Sequence, residues 1–404
     1  MRIVEFFSGI SCQYRGFVEA NCFDSVEQVA TSDIAIDSIV ANAAINHNLM
    51  LYLDKFKGIS LNEMREYLVE RNIGYDFNKG VPYNWDRAND EYVNKVYTAC
   101  RLTNNLGDIS KIESSDIPLA DLWFLSFPCQ AISQAGRMLG FKADAETNSS
   151  LLWQNIRLLR DVYWSAKSPK YIMVENVKNL VSKTFIDDWN NVLEIFDNLG
   201  YNCQWKVIDA KDCGVPQSRP RVFMVGIRKD VDLGRFEWPD AIDSNICIAD
   251  VLEDTVADRY LLSEKIVNRF HLTDPTYSKN VIGDTMPDCR TIGQRDTVYN
   301  INGIMGACMA SDYKQPKQIL VPKDGREYKT PFNMDDYILR KMTPREIGIL
   351  QGFTYVDTDK MVAAGISDTK IYMAYGNGIC VPCVSLIAKQ LYKAQKEDII
   401  KDAV

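Results

Sequence analysis

The sequence predicts an α/β fold, a doubly wound sheet with a second, smaller and irregular domain. Over the first half of the chain, short apolar runs alternate with helical patterns, as in sheets built from parallel strands. This alternation stops at about residue 230, where short apolar pieces are separated by Asp, Asn, Gly and Pro. The chain of 404 residues is also longer than one compact domain usually is.

Uninterrupted apolar runs predict buried strands, and apolar residues at helical spacing predict helices. The predicted strands are Arg2–Phe7, Val26–Thr31, Asp121–Phe127, Tyr171–Val174 and Arg221–Ile227, and the predicted helices between them are Leu151–Trp164 and Phe185–Leu199. A mixed-charge amphipathic helix over about 382–396 ends the chain. We expect one domain to comprise 1–229 with 365–404, and the smaller domain to comprise 230–364.

Residues 49–105 interrupt the alternation with a polar stretch. Ser60 and Glu63 form a capping-box pattern there, and the helix that they open has an apolar face. That face consists of Leu61, Met64, Tyr67 and Leu68. We interpret the stretch as an insertion packed on the outside of the first domain. A second capping box, Thr343 with Glu346, opens a later helix and has Pro344 at its first position.

Composition and charge restrict the class of protein. Apolar residues make up 46% of the chain and charged residues 25%, which is ordinary for a globular protein. The N-terminus lacks the pattern of a signal peptide and no apolar run approaches a membrane span, so we expect neither secretion nor membrane insertion. A net charge of −8 does not favour a nucleic-acid partner, but the basic segment from Arg219 to Lys229 would suffice for a local cleft.

Eleven cysteines in a chain without a signal peptide indicate reduced thiols. Cys380-Val-Pro-Cys383 has no second cysteine pair, and His47 and His271 are the only histidines in the chain. We therefore interpret this pair as small buried residues and expect no metal site.

Two features near the N-terminus suit a ligand at the carboxyl edge of the sheet. Residues Ser8 to Ser11 form a turn directly after the first strand, and Asp33 follows the second strand, where a carboxylate can accept hydrogen bonds from a ribose. The loop lacks the glycine set of the dinucleotide fingerprint, so taken alone it is better explained as an ordinary strand–turn–helix connection.

Reactive side chains stand at the carboxyl ends of two further predicted strands and at the start of a third. Cys129 follows an apolar run and is flanked by Pro128, Gln130 and Ser133, which suits a nucleophile in a pocket or a small buried residue. Glu175 ends another apolar run, where a carboxylate needs a partner unless it serves in a turn or cap. Arg219 and Arg221 lead into the next strand and require anions, carbonyls or a surface ion pair.

Taken in order, these segments resemble the DNA cytosine-5 methyltransferase family of bacterial or phage type. The segments are Pro-Cys-Gln at 128–130, Glu-Asn-Val at 175–177 and the Gln-x-Arg-x-Arg pattern at 217–221. Three more stretches are similar to motifs of that family: 6–11, 340–353 and Tyr-Gly-Asn-Gly at 375–378. The motifs extend from residue 3 to about residue 384 and leave only 49–105 and 230–335 unmatched.

The resemblance implies a Rossmann-like, S-adenosylmethionine-dependent methyltransferase domain with a mixed sheet, and a small target-recognition domain. Such an enzyme methylates carbon 5 of a cytosine flipped out of double-stranded DNA. Cys129 would be the nucleophile, Glu175 would bind ring nitrogen 3 and the amine, and Arg221 would contact the base carbonyl. Arg219 would support Arg221 or touch a phosphate. Gln130, Ser133 and Asn176 would lie on the substrate side, and one of residues 134–137 would fill the vacated space in the duplex.

The resemblance also assigns the pocket for the cofactor, whose product is S-adenosylhomocysteine. The assigned residues are Phe7, Ser8, Gly9, Ile10, Ser11, Asp33, Ile34, Asp108, Ile109, Pro128, Leu152 and Asn377. Asp33 would hold the ribose, and Asp108 with Ile109 the adenine. The chain departs from the family at two places. Ser11 and Cys12 stand where two glycines are common, and Ala307-Cys308 stands where a Thr-Leu pair is common.

Two other functions fit parts of this pattern. One branch of the family methylates tRNA, but this chain has a sizeable small domain and lacks that branch's Cys-Phe-Thr signature. A catalytically dead scaffold is the other, and the presence of Cys129, Glu175, Arg219 and Arg221 argues against it. We expect a monomer in the bacterial cytoplasm, associated with the nucleoid in use. A cognate restriction endonuclease is a candidate partner, and the sequence alone does not decide whether one accompanies the chain.

Overall fold

A computed structural model describes residues 1–76, 79–128, 132, 151–273, 278–285 and 296–396. The strands β1 to β13 are, in chain order, Arg2–Phe6, Glu27–Ser32, Leu122–Phe124, Tyr171–Val177, Tyr201–Asp209, Gln217–Ser218, Pro220–Arg228, His271–Leu272, Val281–Asp284, Thr297–Asn300, Met305–Gly306, Gln318–Pro322 and Tyr337–Lys341. The helices α1 to α11 are Cys12–Ala20, Ile36–His47, Leu61–Glu70, Asp90–Leu102, Leu152–Asp161, Ile186–Asn198, Glu264–Val267, Pro344–Leu350, Tyr355–Ala363, Asp368–Asn377 and Val381–Gln395.

The chain divides into two compact units. Unit 1 comprises Met1–Ile208, Pro220–Asp240 and Cys383–Val404, and unit 2 comprises Asp209–Arg219 and Ala241–Pro382. These boundaries differ from the expected domains at 209–219, 230–240 and 365–382. The first difference arises because β6 pairs with β11, and the last because α10 packs against the turn Ala310–Lys314 of unit 2.

Unit 1 contains a six-stranded sheet in the order β2-β1-β3-β4-β7-β5. The pairs β1–β2, β1–β3 and β3–β4 are parallel, whereas β4 and β7 are antiparallel. The sheet is therefore mixed, and the predicted α/β class is confirmed. Strand β5 was not predicted, because it lies at the edge of the sheet and its middle residues are exposed.

Helices cover both faces of this sheet. On one face, Trp123 and Ile172 pack with residues of α5 and α6 such as Ile156 and Trp189. On the other face, the ring of Phe17 in α1 meets that of Phe124 edge to face at 5.7 Å. Adjacent residues of β3 thus point to opposite layers, as the alternation of side chains along a strand requires.

The 49–105 insertion packs on unit 1. Its helix α3 begins at the predicted capping box, in which Ser60 accepts from the Glu63 amide and Glu63 accepts from the Ser60 amide. Met64 and Leu68 are buried as predicted, and α4 packs against both α3 and α2. The insertion is therefore anchored to α2, which directly follows β2.

Unit 2 contains a five-stranded sheet in the order β13-β12-β10-β9-β8, over a small core that includes Val298, Leu320 and Leu339. Helix α8 begins at the predicted capping box of Thr343 and Glu346. The carboxylate of Glu346 is fully buried and pairs with Arg340 at 2.7 Å.

One helical stretch, Asp368–Gln395, reaches the length and apolar character of a membrane span, with a mean hydropathy of 1.5. However, 67% of that window is buried inside the protein, as is typical of a core helix.

Candidate active site

The carboxyl end of β4 and the start of β7 bring a carboxylate and a guanidinium together. The Nε atom of Arg221 lies 3.2 Å from Oε1 of Glu175, and the two side chains are 18% and 13% exposed. Because Glu175 is paired with Phe223 and Val177 with Arg221, the two charged residues are diagonal neighbours on one face of the sheet. The pair is thus shielded but still accessible.

The loop that follows β3 is tied to the same strand end. The amide of Glu175 donates to the Ser126 hydroxyl at 3.2 Å, and the Asn176 side chain donates to the Phe127 carbonyl at 3.0 Å. Asn179 donates to the Ile132 carbonyl. One flank of the Cys129 segment is therefore anchored at β4 and the other at the turn Lys178–Val181 that directly follows it. Cys129, Gln130, Ser133 and 134–137 themselves lie outside the described residues.

Arg219 belongs to unit 2 and is only 3% exposed. Its guanidinium donates to the carbonyls of Gly376 at 2.9 Å, Gly378 at 2.8 Å and Cys308. These bonds tie three segments of unit 2 together, and the predicted phosphate contact receives no support from them. Gln217, which opens the Gln-x-Arg-x-Arg pattern but was given no role there, accepts from the Cys308 amide at 2.8 Å.

The loop between β1 and α1 has an uncommon backbone. Phe7, Gly9 and Ser11 have φ angles of 56°, 54° and 58°, in the left-handed region that disfavours side chains. The loop is fixed by Asp33, whose carboxylate accepts from the Gly9 amide at 2.8 Å and the Ala35 amide at 2.7 Å. Burial raises the pKa of Asp33, although these backbone hydrogen bonds lower it.

Ser11, which replaces a common glycine, is accommodated by a buried polar network. Its hydroxyl accepts from the Gln28 side chain at 2.8 Å, and Gln28 also donates to Glu5 and contacts His47 at 2.7 Å. Burial raises the pKa of Glu5 to about 7 and lowers the pKa of His47 to about 4. The departure from the family at Ser11 therefore has a local structural explanation.

Asn105 links the two acids that were assigned to the cofactor. Its side chain donates to the Asp33 carbonyl at 2.9 Å and accepts from the amides of Asp33 at 3.1 Å and Gly107 at 3.0 Å. Asp108 follows directly. Sequence reasoning missed Asn105, and its position in a turn just before Gly107 and Asp108 is the signal that could have revealed it.

These residues fit an adenosyl cofactor. A Cβ at Gly9 would meet no atom within 4 Å, so the loop has free space beside it. Asp33 follows β2 directly, and Asp108 follows a segment that runs parallel to the end of β2, so both acids lie at the carboxyl edge of the sheet. Ile10, Ile109 and Leu152 are at most 3% exposed and pack in the core, so their contact with the cofactor stays a prediction. Asn377 is exposed at the end of α10 in unit 2, and its role stays a prediction as well.

A cavity and a cysteine pair do not coincide with these site residues. A cavity of about 630 Å³ lies beside the start of β4 and the end of β7, lined by residues that include Trp164, Gly200 and Arg228. It contains none of the predicted site residues. Cys380 and Cys383 are buried, and the described part of the chain holds no group of three or more His, Cys, Asp or Glu suited to a metal ion.

A mixed doubly wound sheet with a left-handed loop after β1 and acids at its carboxyl edge defines a Rossmann-like protein that binds a nucleotide-containing cofactor. The chain belongs to the C-5 cytosine-specific DNA methylase family, whose model matches residues 73–393. It is an enzyme that transfers the methyl group of S-adenosylmethionine to carbon 5 of cytosine in DNA. The family, activity, DNA substrate and cofactor predicted by the motifs are thereby confirmed.

The chain is similar to named members of this family. It is 31% identical over 396 residues to the type II methyltransferase M2.ScrFI of Lactococcus lactis subsp. cremoris, covering 98% of this chain and 100% of the relative. It is 30% identical over 311 residues to the type II methyltransferase M.SsoII of Shigella sonnei, covering 75% of this chain and 72% of the relative.

The fold is similar to that of solved structures. The methyltransferase EhMeth of Entamoeba histolytica has a TM-score of 0.62 at 17% identity, covering 98% of this chain and 99% of the other. The Dnmt2 methyltransferase of S. pombe has a TM-score of 0.60 at 17% identity, covering 97% of this chain and 98% of the other. At this identity the likeness shows the fold alone.

Proposed function

We propose that Cys129 is the nucleophile of this enzyme and that Glu175 and Arg221 together hold the target cytosine. The Glu175–Arg221 pair is the observation that carries the proposal. An acid and a guanidinium within 3.2 Å of each other offer matched groups for the nitrogen and carbonyl of one base edge.

The chemistry needs these groups because carbon 5 of cytosine is a poor nucleophile. A thiolate from Cys129 adds to carbon 6 and forms a C–S bond, which moves electron density onto ring nitrogen 3 and carbon 5. Glu175 stabilises that density by sharing a proton with nitrogen 3, and Arg221 stabilises it at the carbonyl oxygen. The bound cofactor supplies an electrophilic methyl group. Once carbon 5 carries the methyl group and S-adenosylhomocysteine is left, water takes the carbon-5 proton, and this elimination breaks the C–S bond and releases the Cys129 thiolate.

Positioning of the nucleophile falls to the residues around β4. Asn176 and Asn179 hold carbonyls on either side of the Cys129 segment, and Ser126 is held by the Glu175 amide. A nucleophile whose flanks are bound to the strand that carries the acid and to the turn that follows it needs less reorganisation to reach the base. We assign a supporting role in unit 2 to Arg219, because its guanidinium binds main-chain carbonyls.

A covalent-trapping experiment tests the proposal. In duplex DNA whose target cytosine carries fluorine at carbon 5, the fluorine does not leave as a proton does, so the Cys129 adduct should persist. We expect a denaturant-resistant protein–DNA complex that requires S-adenosylmethionine and whose cross-linked peptide contains Cys129. A complex formed equally well by Cys129→Ala would overturn the assignment.

The biological setting extends the proposal. Because the relatives are named type II methyltransferases, we infer that a restriction endonuclease with the same target accompanies this enzyme. We further infer that it acts as a monomer on the nucleoid in the bacterial cytoplasm, since one chain carries both the catalytic and the cofactor residues. Bisulfite sequencing of DNA from a host that expresses the chain gives the target, and sedimentation of the DNA complex gives the stoichiometry.

A further inference from the structure

Besides Asn105 at its end, the 49–105 insertion contacts the cofactor pocket through a turn, Arg71–Gly74. The Gly74 amide donates to the Ile34 carbonyl at 2.7 Å, and the Arg71 carbonyl accepts from the Asp108 amide at 3.1 Å. The Asn72 side chain donates to Asp108 Oδ2 at 2.8 Å. Ile34 and Asp108 are both residues that the family resemblance assigns to the cofactor, so the insertion contacts the pocket from two sides.

This turn is rigidly defined. Helix α3 ends in a Schellman motif, in which the Ile73 amide donates to the Leu68 carbonyl at 2.9 Å and the Asn72 amide to the Val69 carbonyl at 3.0 Å. Asn72 takes the left-handed position with a φ of 54°. Glycine is the usual residue there and asparagine the next, and asparagine brings a carboxamide that glycine lacks.

The carboxamide of Asn72 is held in one orientation. Its Oδ1 accepts from Lys111 Nζ at 2.8 Å, and a lysine ammonium can only donate. The amide nitrogen must therefore point towards Asp108, which as a carboxylate can only accept. The lysine and the carboxylate on either side thus fix which end of Asn72 faces Asp108.

The two oxygens of Asp108 are used unequally. Oδ1 accepts from both the amide and the hydroxyl of Ser110, at 2.9 Å and 2.8 Å. Within the described residues, Oδ2 accepts the single side-chain bond from Asn72. A carboxylate oxygen accepts about two hydrogen bonds. The remaining acceptor capacity for a ligand therefore lies on the oxygen that Asn72 orients.

We propose that Asn72 is a positioning residue for Asp108 and that, through it, the insertion sets the affinity and selectivity of the pocket for the adenine amine of S-adenosylmethionine. This inference rests on the assignment of Asp108 to the cofactor. Asn72 holds Oδ2 with its open acceptor site turned towards an incoming amine. Through Asp108, Asn72 thereby makes the insertion a contributor to cofactor binding.

The test measures binding to the full-length protein by calorimetry, with S-adenosylhomocysteine and with its hypoxanthine analogue, in which a carbonyl replaces the exocyclic amine. Asn72→Gly removes only the side chain, because glycine keeps the left-handed turn. We expect roughly tenfold weaker binding of S-adenosylhomocysteine. We also expect a smaller preference for adenine over hypoxanthine, and a raised KM for S-adenosylmethionine at unchanged kcat.

Asn21→Gly is the matched control. Asn21 is exposed, ends α1 with a φ of 48° and is the same residue type in the same kind of position. The Asn21→Gly substitution should leave the binding constants for S-adenosylhomocysteine and for its hypoxanthine analogue at their wild-type values. Equal weakening of the two ligands by Asn72→Gly would show a merely structural role and overturn the proposal, and so would unchanged binding.

Asn72→Asp provides a second route if the glycine variant does not fold. The substituted carboxylate would face Asp108 without an amide donor, so binding should weaken at pH 8 and recover at acidic pH, where the two carboxylates share a proton. Wild-type binding by Asn72→Asp at pH 8 contradicts the proposal. Because ligand binding requires neither Cys129 nor DNA, failure of the covalent mechanism would leave these measurements unaffected.

Discussion

Glu175 and Arg221 lie 3.2 Å apart on adjacent antiparallel strands, the acid at the end of β4 and the guanidinium at the start of β7. Forty-five positions of sequence separate them, yet the sheet makes them diagonal neighbours on one face. Each is about one sixth exposed, so the pair is partly removed from solvent and still reachable by a base. This relationship is the geometric basis of the proposed mechanism.

Glu175→Gln should slow methyl transfer without unfolding the protein. Glutamine retains the shape of the side chain but cannot share a proton with ring nitrogen 3, and general acid–base catalysis contributes about 10²–10⁴-fold to a rate. Single-turnover transfer of tritiated methyl groups should fall by about that factor. Glu66→Gln, a change of an exposed glutamate in α3, is the control. A Glu175→Gln enzyme that reacts at the wild-type rate would remove this residue from the mechanism.

Cys129→Ala should abolish turnover. Alanine removes the sulfur that forms the covalent bond, while the cofactor pocket does not depend on that atom. Calorimetric binding of S-adenosylhomocysteine should therefore match that of the wild type. Cys22→Ala, at a half-buried cysteine that follows α1, is the matched control and should remain active. Normal turnover of the Cys129 variant would refute the assigned nucleophile.

Arg219→Lys should act mainly on stability. A lysine ammonium does not reproduce the planar fork that serves three carbonyls, and buried carbonyls that lose a donor cost about 1–3 kcal/mol each. We expect a lower unfolding midpoint in urea, with KM for DNA little changed in the folded fraction. Arg259→Lys serves as the control, because Arg259 is a largely exposed arginine of unit 2 in a surface ion pair. Wild-type stability combined with a raised KM for DNA would instead indicate a direct phosphate contact by Arg219.

Glu5 and His47, which both contact Gln28, should give stability an unusual pH profile. Since the folded pKa of Glu5 is about 7 and the ordinary value 4.5, the folded state holds a proton that the unfolded state releases, so stability falls as pH rises from 4.5 to about 7. His47 acts in the opposite direction. Its pKa of about 4 means that stability falls as pH drops from 6.5 to about 4.

Glu5→Gln should remove the first of these gradients. The variant should therefore gain stability relative to the wild type between pH 5 and pH 8, by up to about 3 kcal/mol. Urea unfolding at several pH values measures the difference, and Glu66→Gln is again the control. A difference between variant and wild type that does not change with pH would show that Glu5 is ionised in the folded protein throughout this range.

Much of the fold followed from local patterns. Apolar runs predicted β1, β2, β4 and β7 to within a few residues, and the capping boxes at Ser60 and Thr343 marked the starts of two helices. These features are local because a helix end is satisfied by residues three apart, and a buried strand needs an uninterrupted apolar run. The order of the motifs was sufficient to identify the family.

Other features depended on residues distant in sequence. The edge strand β5 has no apolar run, and the unit boundaries follow from the pairing of β6 with β11. The carbonyl partners of Arg219 and the bond from Asn72 to Asp108 join segments 36 or more residues apart. A guanidinium or carboxamide has the same hydrogen-bonding groups at every position in a sequence, so its residue type does not reveal its partner. The sequence by itself thus determined the chemistry available to this enzyme, and the tertiary structure decided which partner each polar group meets.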